Sequence, residues 1–219
     1  MNSVLLIGMV ILVGMCLGWI FHHRSIRHMK PILTRLAAEK SGTVEFPSLF
    51  LMHRLRFSHL GADVEISVAS SGIAGESTRY TYAVFAGLDS KNFKFRILPR
   101  SLQTIGDNWI IKKKPLSTGI DKLDKRLAIY TNNDILMKSL FSERIQADLL
   151  SWAEQKTVNR ISDIRNYDDK LIFAVTDTLK QYEEYKFFLD TACRFYDAVA
   201  SVVLNFHKAP NDWLGMARF

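Results

Sequence analysis

Residues 62–69 read ADVEISVA, in which the apolar Val64, Ile66 and Val68 alternate with Glu65 and Ser67. A period of two places the apolar set on one face of a strand and the polar set on the other, as in an antiparallel sheet with one wet face. The same alternation recurs at 93–98, FKFRIL, where Phe93, Phe95 and Ile97 are separated by Lys94 and Arg96. Between and around these runs lie other segments rich in β-formers: TVEFPSLFLM, HRLRFSHLG, STRYTYAVFAG, NWIIKKK and RLAIYTNN. The turn-rich stretches SSGIAGES, GLDSKN and LSTGIDKLDK separate them at short intervals, the punctuation of a meander.

After residue 133 the period changes. The segment SERIQADLLSWAEQK carries Ile145, Leu149, Trp152 and Ala153 on one helical stripe, with Ser142 as the N-cap and a shorter helix expected over 134–141. VNRISDIRN and KLIFAVTD read as a strand pair joined by NYDD. The last long element, 179–206, bears Tyr185, Phe188, Leu189, Ala192, Phe195, Tyr196 and Val199 at helical spacing, a stripe suited to lying across a sheet. The expected fold class is α+β: an N-terminal transmembrane helix, then an antiparallel meander covered by two or three helices.

The transmembrane expectation comes from residues 4–21, eighteen positions without a charge. As a helix they would extend roughly 27 Å, close to the hydrocarbon thickness of a bilayer. Only Met1, Asn2 and Ser3 precede the run, and bulky Trp19, Ile20 and Phe21 close it, which disfavours a cleaved leader. Arg24, Arg27 and Lys30 follow with no acid among residues 1–30, so the positive-inside rule predicts a single-pass protein of a bacterial inner membrane, N-terminus outside and the remainder cytoplasmic. Trp19, Arg24, Arg27 and Lys30 are then the interface residues, with the lipid bilayer as partner. Gly14 and Gly18 form a GxxxG pair that would allow a homodimer. The division expected is an anchor over 1–21, a basic segment and short helix over 22–42 with Pro31 at its first position, an α+β domain over 43–206, and a tail over 207–219 that folds back.

The chain has 29 Lys and Arg against 22 Asp and Glu, a net +7. Taking away the three basic residues of 1–30 leaves 26 against 22, or +4, spread without a contiguous basic helix, which argues against nucleic acid. Cys16 and Cys193 are far apart in apolar runs and make no disulfide framework. His22, His23 and His28 are spaced by one and five, which does not place a metal pair on one helical face, so no metal and no cofactor is expected.

No phosphate loop, GxSxG, HExxH or paired CxxC is present. The aspartates near turns, Asp121, Asp124, Asp163, Asp168 and Asp169, read as caps of backbone groups. His53 and His59 would share one side of a strand with Arg54 and Arg56 on the other, the one candidate anion or ligand surface. The functional expectation is a binding or scaffold domain working with another protein; the alternative is an enzyme with a site assembled from those scattered residues.

One longer pattern adds to this. LDKRLAIYTNNDILMKSLFSERIQADLLSW, then IRNYDDKLIFAVTD, then YKFFLDTACRFYDAV, over about residues 120–200, resembles a domain of unknown function in bacterial membrane-associated proteins. That family's run is FDxxFxV followed by an aspartate; Leu123 and Leu127 stand here where aromatics would be expected. The resemblance implies the two-strand, two-helix arrangement and membrane association, and no activity.

Overall fold

The computed structural model describes residues 2–46, 53–71, 78–90, 92–100, 114–154, 161–167, 169–176 and 179–208. In chain order these form α1 (Asn2–Glu39), β1 (Thr43–Glu45), β2 (Arg54–His59), β3 (Ala62–Ser71), β4 (Thr78–Ala86), β5 (Phe95–Pro99), α2 (Asp121–Arg126), β6 (Leu127–Thr131), α3 (Asp134–Ser139), α4 (Glu143–Glu154), β7 (Ile161–Tyr167), β8 (Lys170–Thr176) and α5 (Tyr182–Lys208).

The strands make one eight-stranded sheet in the order β1-β2-β3-β4-β8-β7-β5-β6, every pairing antiparallel. The first four are a meander, but the expected meander through the remainder is corrected. The β7–β8 hairpin inserts between β4 and β5, so β4 is central. Its sequence fits that place: Thr81, Ala83 and Phe85 are buried on one face, while Tyr80, Tyr82, Val84 and Ala86 are half-buried on the other. A bulge in β7 between Ile161 and Asp163 adds one residue opposite β8, which keeps Ile161 on the core side where strict alternation would have turned it away.

The core lies between the sheet and its helices. One register row, Phe57–Val64–Phe85–Leu171, runs across four strands and is buried throughout. Onto this face α5 lays Tyr185, Phe188, Leu189, Ala192, Phe195 and Val199, the stripe read from its sequence. Trp152 of α4 meets Phe173 and Phe188 edge-on at ring centroids 5.8 and 5.9 Å apart. Arg194 of α5 donates two hydrogen bonds, 2.9 and 3.0 Å, to the Asp148 carboxylate of α4. Buried apolar area of this kind supplies about 25 cal/mol per Å² and is what holds the layers together.

The N-terminal expectations change most. Helix α1 runs unbroken through the apolar run, the basic residues and Pro31, which sits inside the helix and does not open a new one. Its last turns belong to the domain. Met29, Leu33, Leu36 and Ala37 are buried. Beyond them Tyr182 of α5 donates a short hydrogen bond to Glu39, Arg35 lies over the Tyr182 ring at 3.7 Å, and Lys40 pairs with Asp190 at 3.0 Å. The Tyr182 hydroxyl, foremost, holds the Glu39 carboxyl below its ordinary pKa, with Lys186 and Arg35 adding to it.

Among the described residues, no helix is long and apolar enough to cross a membrane. The described apolar side chains of α1 ahead of the basic residues occupy 7–10 and 12–16. The transmembrane anchor over 1–21, the single-pass inner-membrane topology and the locations assigned to either end are therefore corrected. What the structure places at the N-terminus is a continuous helix whose far end, with Ile7, Met9, Val10, Leu12 and Met15, is exposed and whose near end is built into the domain.

Candidate functional site

Among the described residues the helices lie on one face of the sheet; on the other, Leu98, Ala128 and Tyr130 of β5 and β6 form a second buried cluster, so the side chains over β1 to β4 and β8 are where recognition can take place. Three register rows define that face. One runs Arg56–Glu65–Val84–Ile172–Arg165–Arg96, a second Ser58–Asp63–Ala86–Lys170–Tyr167, and a third Ser67–Tyr82–Ala174–Asp163. Apart from exposed Lys170 at the start of β8, the centre, on β4 and β8, is apolar or aromatic and at least half-buried, and the flanks carry charge.

Over β1 to β4 this face holds a cleft of about 660 Å³, lined by Thr43, Arg56, Asp63, Glu65, Val84 and Lys170 and closed at one end by the α1–β1 turn. That volume is in the range of ligand sites. The turn is tight because Gly42 lets it approach β2: a Cβ there would stand 2.4 Å from the Arg56 carbonyl oxygen and 2.9 Å from the Phe57 Cβ. Ser41 beside it adopts φ 52°, the left-handed region that terminates α1.

The electrostatics of the cleft are largely internal on the β1–β3 side. Arg56 donates Nε to Glu65 at 3.0 Å and Nη1 to Glu45 at 2.9 Å, and Arg54 Nε lies 3.7 Å from the second Glu65 oxygen. Farther in, exposed Asp63 and exposed Lys170 flank the small Ala86 in one row. Ala86 lets the floor dip between an anion and a cation.

The four residues singled out from sequence divide between the two faces. Arg54 and Arg56 lie on the open face, but their charges are met by Glu45 and Glu65, so they make a ladder and not an anion site. His53 and His59 point to the helical side. His53 is buried, edge-on to Phe46 at 5.1 Å, and its carbonyl accepts from Ser67. His59 Nε2 contacts Asp197 Oδ1 of α5 at 2.7 Å, its ring bracketed by Phe85 and Tyr196. The structure brings no joint His–Arg constellation together.

Of the residues read as an interface, Lys30 is exposed with its ammonium 5.9 Å from the Phe46 ring centroid, while the side chains of Trp19, Arg24 and Arg27 lie outside the described residues. A side chain at Gly14 would meet nothing within 4 Å. Gly18's surroundings, Lys112, Lys113, Asp168, the strand expected at 108–113 and the tail from 209 also fall outside the described residues. Cys16 and Cys193 are both free thiols; burial, above all, pushes the Cys193 pKa up to about 12.

Of the aspartates read as backbone caps, Asp124 keeps that role and Asp163 does not. Asp163 of β7 accepts Arg96 Nε and Nη2 of β5 at 2.9 and 3.0 Å on the open face. Asp124 of α2 accepts from Ser117 Oγ at 2.8 Å, Thr118 Oγ1 at 2.7 Å and Thr118 N at 3.0 Å. Burial opposes its ionisation, but these hydrogen bonds together bring its pKa below the ordinary value. Capping was the role expected of Asp124; the tie between strands at Asp163 needed the register to be seen. Among the described residues, no three His, Cys, Asp or Glu side chains are grouped to hold a metal ion.

No protein-family profile matches the chain, and no curated protein matches it in sequence. Among solved structures it is similar to the crystal structure of the mycobacterial trehalose monomycolate transport factor A, TtfA, with a TM-score of 0.50 over 80% of this chain and 94% of that one, at 14% identity. At that identity the similarity is one of fold.

Proposed function

We propose that this chain is a binding module that holds an extended segment of a protein partner against the open face of its sheet. The observation that carries this reading is the asymmetry of the sheet over β1 to β4: among the described residues the helices lie on one face, and the other presents a 660 Å³ cleft with an apolar floor between Asp63 and Lys170. The cleft borders β1, which is the terminal strand of the sheet among the described residues. An added strand at such an edge gains main-chain hydrogen bonds, and its alternate side chains reach the neighbouring face, where pockets give specificity. At the opposite edge the amide of Leu116 already donates to the Ile129 carbonyl of β6, so among the described residues the β1 side is the open one.

Charge selects the segment. Arg54, Arg56, Glu45 and Glu65 neutralise one another, leaving Asp63 and Lys170 as the exposed pair that favours a partner with a cation and an anion about one strand apart. A protein of the same fold is described as a transport factor, and a role in holding a component of a larger assembly accords with that description.

Photo-crosslinking tests the reading. A benzoylphenylalanine at Ala86, in the full chain expressed in its own cells, yields a discrete protein adduct, whereas the same probe at Ser201 on the exposed side of α5 does not. Val84→Arg, which places a charge on the cleft floor, removes the Ala86 adduct. Equal adducts from both faces, an adduct only with a second copy, or one that survives Val84→Arg overturns the proposal.

A further inference from the structure

Helix α5 runs toward the end of the sheet at which the open-face cleft lies, and residues 209–219, APNDWLGMARF, follow it in the chain. We propose that this segment occupies the cleft of its own chain until a partner displaces it, a form of regulation that rests on the open-face reading above.

The fold puts the origin of that segment within reach of the cleft. The row Asp63–Ala86–Lys170 lies one position in from the last β2–β3 pair, His59 with Ala62. On the other face, α5 moves toward the same end of the strands. Phe188 lies against Phe173, whereas Tyr196 stacks on Phe85, the register partner of Leu171, at 4.9 Å between ring centroids. Asp197 then meets His59 at 2.7 Å, so α5 has arrived at the sheet end by that residue. Residues 198–208 carry the helix on by roughly 16 Å. A chain that returns over this length and passes one helix diameter, about 10–12 Å, arrives at the row, and residues 209–219 extended reach roughly 36 Å.

Composition and charge choose this occupant. The cleft floor is apolar at Val84 and Ala86, and the exposed Asp63 and Lys170 to either side are in no ion pair among the described residues. In 209–219 the charged side chains are Asp212 and Arg218, and they enclose the uncharged WLGMA. Pairing Asp212 with Lys170 and Arg218 with Asp63 carries 213–217 across β4, where Trp213, Leu214 and Met216 bury apolar surface on the floor. The tether favours the segment of the same chain over that of a second copy, because it acts at an effective concentration of about a millimolar. A contact with an intrinsic dissociation constant of about 0.1 mM then fills the cleft about ten to one, and lowers the apparent affinity of a partner about tenfold.

A benzoylphenylalanine at Ala86 of the purified full chain, irradiated without a partner and mapped by peptide mass spectrometry, tests the placement. The expected product is an adduct within one chain to a peptide from 209–219, at a yield unchanged by tenfold dilution. Trp213→Asp with Met216→Asp lowers that yield at least about fivefold. Asp63→Lys lowers it severalfold, and adding Arg218→Glu to Asp63→Lys restores it, which a damaged fold would not allow. Absence of an adduct to 209–219, a yield that falls with dilution because a second copy supplies the segment, or a loss in Asp63→Lys that Arg218→Glu does not relieve overturns the proposal. The regulatory half is read from the partner captured at Ala86, whose affinity should rise about tenfold in the Trp213→Asp, Met216→Asp variant. An equal affinity for wild type and that variant overturns the regulation and leaves the open-face reading standing. A segment adduct in a chain that captures no partner refutes the open-face reading and leaves the segment in the cleft.

Discussion

Removing the Asp163 carboxylate is predicted to cost much more than its place on a sheet face suggests. Arg96 and Arg165 are register partners on β5 and β7, so two guanidinium groups stand opposite each other on one face. Directly opposed like charges destabilise a sheet. Asp163 sits between them, accepting two hydrogen bonds from Arg96 and lying 3.7 Å from Arg165 Nε. The Arg96 side chain is 11% exposed and that of Asp163 18%. Breaking a fully buried ion pair by removing one partner costs about 3–5 kcal/mol; with this residual access to water, Asp163→Leu should cost about 2–3 kcal/mol. Replacing both partners, Arg96→Met with Asp163→Leu, removes both charges of the pair and should cost about 1 kcal/mol or less. With Arg96→Met alone costing about 1 kcal/mol, the double-mutant cycle gives a coupling of about 2–3 kcal/mol. Urea unfolding followed by circular dichroism measures all three variants. The exposed pair on the same face is the comparison: Arg56→Met breaks contacts whose side chains are 45% and 47% exposed, and should cost under about 1 kcal/mol. A loss below about 0.5 kcal/mol for Asp163→Leu, or a double variant as unstable as the sum of the singles, would refute the reasoning.

Three further outcomes follow from the geometry. Gly42→Ala forces a Cβ to within 2.4 Å of a β2 carbonyl, so it should destabilise by about 2 kcal/mol and loosen the cleft end, read by urea unfolding and by faster amide exchange at 43–45. Tyr185→Phe should leave stability unchanged or raise it by up to about 1 kcal/mol, because the buried hydroxyl has no hydrogen-bond partner among the described residues and burial pushes its pKa up. Asp124→Asn should lower stability at neutral pH. The Asp124 pKa is depressed in the folded chain, so its contribution is complete above the unfolded value near pH 4 and fades as pH falls through the lower folded value. The gap between wild type and variant should therefore be constant down to about pH 4 and close only at more acidic pH.

How far the fold was legible depends on what each segment's pattern encodes. Strand β3 declared itself because Val64 and Ile66 have a dry face and Glu65 a wet one, and α5 because its aromatic stripe packs against a sheet. The place of the β7–β8 hairpin did not, since strand order is set by pairings between residues about ninety apart, such as Val84 with Ile172, that no local period records. Helix α2 was hidden because DKLDKR is six residues behind Gly119 with no side-chain N-cap, and reads as a turn. Pro31 looked like a helix start because proline suits a first turn, yet the preceding helix simply continues through it. The split of the His–Arg group was legible in the alternation itself: residues 53 and 59 share one side and 54 and 56 the other, so one strand could not gather all four. The open-face cleft became visible only once Arg56, Glu65, Val84 and Lys170 were placed on neighbouring strands.

The central claim is that the open face of the sheet is the recognition surface. The most direct measurement is the dissociation constant of the protein captured at Ala86 for purified wild-type chain, Val84→Arg and Ser201→Arg. The account predicts a loss of at least about tenfold for Val84→Arg and none for Ser201→Arg; equal affinities for all three, or a loss confined to Ser201→Arg, would contradict it.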